Sequence, residues 1–67
     1  MYKLMINKKE TSSHKTIAAA KSAANKIVDW EGPKLQEQTI IDLDTMKIVA
    51  DRTCRKSSKR IRWTSYS

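Results

Sequence analysis

The chain opens on an alternation. Tyr2, Leu4 and Ile6 are interleaved with Lys3, Met5 and Asn7, and a period of two with aromatic and β-branched members predicts a half-buried strand. Lys8 to Ser13 reads as a polar connection, in which Ser12 or Ser13 can cap a following helix by accepting from its free backbone amides. From His14 to about Trp30 the period changes to that of a helix. Ile17, Ala20, Ala24, Ile27 and Val28 form one stripe, with Lys15, Ser22, Lys26 and Asp29 opposite. The alanines let this helix lie close to a sheet. Gly32-Pro33 ends it, because glycine suits the left-handed position after a helix and proline cannot continue the ladder. Strand patterns return at Gln38–Leu43 and Met46–Thr53, flanking a turn at Asp44-Thr45. A last strand is predicted within Lys59–Tyr66, where Ile61 and Trp63 alternate with Arg60, Arg62 and Thr64, and Arg55–Ser58 is the turn into it.

The expected fold is therefore α+β, in the order β-α-β-β with a fourth C-terminal strand: a small antiparallel-rich sheet covered on one face by one helix. A chain of 67 residues makes one domain, 1–67, and buries only about 60% of its unfolded surface. One helix covers one face of a sheet. If Leu4, Ile6, Ile41 and Leu43 face the helix, then Met5, Ile40 and Val49 point away from it. Three apolar residues on a bare face of so small a sheet are explained by a symmetric homodimer that uses them as its interface.

Charge adds what the pattern lacks. Residues 1–51 hold 8 Lys or Arg and 7 Asp or Glu, whereas residues 52–67 hold Arg52, Arg55, Lys56, Lys59, Arg60 and Arg62 and no acid. Self-repulsion of that size costs stability, and an acidic partner relieves it. Solvated disordered tails are poor in aromatics, but this one carries Trp63 and Tyr66 as well as Ile61. Flat rings among arginines are what unstacked bases need, a surface for the π face and a cation for the phosphate. RNA is favoured over sequence-read duplex DNA, since major-groove readers use amide side chains on base edges and the segment has no Asn or Gln. The candidate nucleic-acid contacts are Arg52, Arg55, Lys56, Lys59, Arg60 and Arg62 for phosphates, with Trp63 or Tyr66 stacking on a base.

Other chemistry finds little support. His14, read into the first turn of the helix, has no carboxylate partner nearby in sequence. Cys54 stands beside Arg55 and Lys56, but its only possible base, His14, belongs to a different element, so a half-buried small residue is expected there. Asp42, Asp44 and Asp51 lack the spacing and glycine of a metal loop. A single glycine excludes a phosphate-cradling loop. The expectation is a protein without catalytic residues, metal or cofactor. No apolar run reaches the roughly 18 residues of a membrane helix, no secretory leader is evident, and a lone thiol suits a reducing compartment. These features predict a cytoplasmic protein with no membrane partner.

In general character the chain resembles the small basic early proteins of large tailed bacteriophages. The Ala/Lys helix between Lys15 and Lys26, the compact hairpin Thr39 to Arg52 and the tail Arg55 to Arg62 carry the likeness. Some of that group are RNA-binding, antitoxin-like inhibitors of host toxin–antitoxin defence. The resemblance thus implies a host-takeover inhibitor acting in the host cytoplasm, through RNA or on a host defence protein. The other reading is an adaptor or inhibitor whose cations dock on an acidic face of a host protein, with no nucleic acid.

Overall fold

The computed structural model describes residues 1–27, 34–55 and 61–66. The expected α+β fold is present. Strands β1 (Tyr2–Ile6), β2 (Lys9–His14), β3 (Leu35–Asp42), β4 (Lys47–Arg55) and β5 (Thr64–Ser65) join in one sheet of order β2-β1-β3-β4-β5, with helix α1 (Ile17–Lys26) between β2 and β3 in sequence. Every pairing is antiparallel. Because β2 and β3 both run opposite to β1, they are parallel to each other, and α1 carries the chain across β1 from one to the other. No described helix is long and apolar enough to cross a membrane.

The N-terminal hairpin corrects the sequence reading, which took Lys8–Ser13 as a connection. The reversal needs only Asn7 and Lys8, whose φ values of 51° and 69° are both in the left-handed region. A two-residue turn with both φ positive matches the right-handed twist of the strands it joins. Lys9 then pairs with Ile6, and the ladder runs on to His14 opposite Tyr2. His14 therefore ends a strand, and its Nε2 lies 2.7 Å from Ser12 Oγ. The helix starts later than predicted. Its cap is Thr16, whose hydroxyl accepts from the Ala19 amide at 3.0 Å, in place of Ser12 or Ser13. Val28 and the Gly32-Pro33 stop lie outside the described residues.

Register decides which residues meet the helix. Leu4 pairs with Ile40, and Ile40 with Ala50. With Ala20 and Ala24 of α1 these form the core, each no more than 1% exposed. Tyr2, Ile6, Ala23, Ile27, Val49 and Trp63 pack around it, half-buried. Ile40 therefore faces the helix, not a twin, and its assignment to a dimer interface is overturned. Val49 is the extra residue of a bulge, since Ile40 pairs with Ala50 but Ile41 with Ile48, and it too leans on the core. Of the three proposed interface residues, Met5 alone keeps its place on the open face, half-buried. The error came from the adjacent isoleucines: Ile40-Ile41 satisfies either parity. The helix-facing positions before them, Gln36 and Gln38, are polar, so alternation along β3 gave the opposite phase.

Candidate nucleic-acid interface

The two glutamines are buried because they serve a buried cation. Arg52, on the helix face of β4, is only 7% exposed. Its Nε donates to Gln38 Oε1 at 2.6 Å, its Nη2 to Asn25 Oδ1 at 2.8 Å and its Nη1 to the Ile61 carbonyl at 2.9 Å. Gln38, itself fully buried, spends its amide hydrogens on the Ala24 carbonyl at 3.2 Å and Gln36 Oε1 at 2.9 Å. The Trp63 ring lies against the guanidinium, 4.3 Å from its centre, in cation–π contact. Asn25 and Ala24 belong to the last turn of α1, where unpaired carbonyls and the negative end of the helix dipole favour a cation. Among the described residues no buried side-chain polar atom lacks a partner, as burial of polar groups demands.

That network reassigns two predicted ligand contacts. Arg52 ties the helix, the sheet and the C-terminal segment together, and its guanidinium is not presented to a phosphate. Trp63 is half-buried on the core, with Arg52 on the ring and Lys21 Nζ 5.9 Å from its centre, so it is not an open stacking surface. The sequence offered no way to separate Arg52 from its neighbours, since partners such as Gln38 and Asn25 are neutral amides that leave no charge pattern.

The rest of the basic segment divides by position. Arg55, at the end of β4, and Arg62 are exposed. Lys56, Lys59 and Arg60 lie outside the described residues. The chain returns at Ile61, whose carbonyl is held by Arg52, and continues into the β5 pairing of Thr64 with Asp51 and Ser65 with Ala50. Tyr66 closes the end: its amide donates to the Val49 carbonyl at 2.9 Å, and its half-exposed hydroxyl reaches both Asp51 carboxylate oxygens at 3.1 and 3.2 Å. Donating to Asp51 raises the Tyr66 pKa above its ordinary value of 10.0, helped by loss of hydration and by the Asp51 charge.

On the sheet face away from the helix lies a depression of about 400 Å³, lined by Glu37, Thr39, Asp51, Thr53, Arg62 and Thr64, with Arg52 and Ile61 also at its wall. Of the residues around it, Arg52 and Arg62 were expected to contact a ligand, and only Arg62 is exposed. Glu37, Thr39, Asp51 and Thr53 reach one surface because β3 and β4 pair with Glu37 opposite Thr53 and Thr39 opposite Asp51, a register that the turn sequence alone did not specify. The remaining singled-out residues have structural surroundings. Asp42 Oδ1 accepts from the Asp44 amide at 2.9 Å, and the Asp44 carboxylate lies 3.8 Å from the N-terminal ammonium. Cys54 is fully buried, deeper than expected. In comparisons with known proteins, no family model, no curated protein and no solved structure matches this chain.

Proposed function

We propose that this chain is a non-enzymatic nucleic-acid-binding protein that prefers RNA and grips phosphates through Arg55, Lys56, Lys59, Arg60 and Arg62. The supporting observation is the anchoring of both ends of this run. Arg55 closes a strand, and the carbonyl of Ile61 is clamped by Arg52 immediately before Arg62. Arg55 and Arg62, each beside a fixed point of the backbone, lose less freedom on binding than the same charges on a free tail. Tyr66, half exposed, supplies a ring beside them. The protein would act as a homodimer joined through the apolar residues of the open face: Ile41 and Ile48, which pair with each other across β3 and β4, and Met5, one step along β1 and opposite Thr39.

Salt dependence tests this reading. Each neutralised phosphate of a single strand contributes about −0.7 to the slope of log affinity against log salt, so three to five contacts give roughly −2 to −3.5. Arg55→Ala with Arg62→Ala should shallow the slope by about one unit and weaken all sequences alike. A protein that binds neither RNA nor DNA at low salt, yet captures a protein from nuclease-treated lysate, would instead be the adaptor that docks on an acidic surface.

A further inference from the structure

We infer that the depression on the open sheet face receives a guanine base of single-stranded RNA, with Glu37 reading its Watson–Crick edge; the inference rests on the RNA-binding reading above. At about 400 Å³ the depression falls within the range of small-ligand sites, roughly 300–1,000 Å³. Its charges orient an entering nucleotide. Glu37 and Asp51 in its wall repel a phosphate; of the two arginines there, Arg52 is buried in its own hydrogen bonds, while Arg62 is exposed and, with exposed Arg55, attracts one. A nucleotide therefore enters base first, with its phosphates left toward Arg55 and Arg62.

The carboxylates also select among bases. Asp51 already accepts the Tyr66 hydroxyl on both oxygens. The Glu37 side chain makes no hydrogen bond or ion pair among the described residues and so offers two adjacent acceptors. Guanine alone places two adjacent donors, N1–H and N2–H, on its Watson–Crick edge. Adenine and cytosine set one amino group beside a ring-nitrogen lone pair, which the second carboxylate oxygen repels. Uracil flanks its single N–H with two carbonyls. The hydroxyls of Thr39 and Thr53 can rotate to donate or accept at the other edges of the base.

Glu37 is also held in position. Its amide donates to Asn7 Oδ1 at 2.9 Å, and its carbonyl accepts from the Asn7 amide at 2.9 Å. Asn7 reaches both groups from a left-handed backbone, φ 51°, a conformation that asparagine tolerates better than most residues. The hairpin turn thus fixes the backbone of the reading residue without using its side chain, and the carboxylate stays available to the base.

The test uses four short uridine-rich RNAs that differ at one central position, carrying guanosine, inosine, adenosine or uridine, with affinity read by fluorescence anisotropy on the full chain. Guanosine should bind best, about tenfold over uridine, within the range for a good bidentate base contact. Inosine, which keeps N1–H but lacks the 2-amino group, should lose a large part of that advantage with the protein unchanged. Glu37→Gln, at an exposed side chain whose backbone bonds survive the change, should abolish the guanosine preference and leave the salt slope intact. Equal affinity for all four RNAs, or an undiminished preference in Glu37→Gln, overturns the base inference and leaves phosphate binding standing. Failure to bind any of them overturns both.

Discussion

Two side chains with similar sequence contexts have opposite roles, and single substitutions should separate them. Arg52 and Arg55 are two of the six cations in residues 52–67, yet one is buried in a network and the other is exposed. Arg52→Ala would strand Gln38, Asn25 and the Ile61 carbonyl, and each unsatisfied buried group costs about 1–3 kcal/mol. A loss of about 3 kcal/mol or more is expected in urea denaturation, a large share of the 5–15 kcal/mol that holds a typical domain. Arg52→Lys should also destabilise, because an ammonium lacks the planar fork that reaches three separate acceptors. Arg55→Ala should stay within about 0.5 kcal/mol of wild type. At Tyr66 the folded pKa is raised, so the stability it contributes is fully present below the unfolded value of 10.0 and is lost as pH rises through the folded one. The difference in denaturation midpoint between wild type and Tyr66→Phe should therefore hold steady near neutral pH and shrink in strong alkali. A difference that grew with pH would mean that the hydroxyl is not donating to Asp51.

At the scale of elements, α1 and the β3–β4 hairpin were legible because a 3.6-residue stripe and two alternating runs are strong local signals. The strand β2 was not. Its residues, Lys9 to His14, are polar throughout, so no apolar face marked it, and its turn is Asn-Lys where Asn-Gly would have announced a hairpin. Its pairing comes instead from Tyr2–Ile6, which was read as a strand, and from the turn, whose Asn7 was read into that strand and whose Lys8 was read into a connection. The price of Lys8 in that turn is measurable. A left-handed residue with a side chain costs roughly 1–2 kcal/mol relative to the right-handed form, and glycine avoids most of it. Lys8→Gly should therefore stabilise the fold by about 0.5–1 kcal/mol. The melting temperature should rise by a few degrees, given about 4–8 °C per kcal/mol for a domain of this size. A fall in melting temperature would show that the lysine side chain has a role outside the turn.

For the whole molecule, the sheet has one covered face and one open face, and the open face is divided. Ile41 and Ile48 pair near the β3–β4 turn, with Ile48 47% exposed, and Met5, opposite Thr39, stands between them and the polar depression, which lies toward the other end of β3 and β4. Pairing through the apolar end should give a mass near twice 7.7 kDa by light scattering at micromolar concentration, and Met5→Lys should return monomers by placing a charge in the contact. A wild type that stays at 7.7 kDa when concentrated would free the whole face for other ligands. This division could not be read from the sequence. It follows from a bulge at Val49 that offsets β4 by one residue against β3, and no residue there carries a bulge signal such as glycine.

The clamp at Arg52 also bears on how the basic segment can vary. Arg52 holds the fold and Arg55, three positions on, is a proposed ligand contact, so substitutions there should separate under two selections. In a mutational scan scored by cellular abundance, position 52 should reject nearly every replacement, while positions 55 and 62 accept most of them, acidic residues included. Scored by binding, all three should be intolerant. Sequences that diverge under a changing partner would then rewrite the charges at 55–62 freely and keep arginine at 52, along with the glutamine at 38 and the asparagine at 25 that hold it.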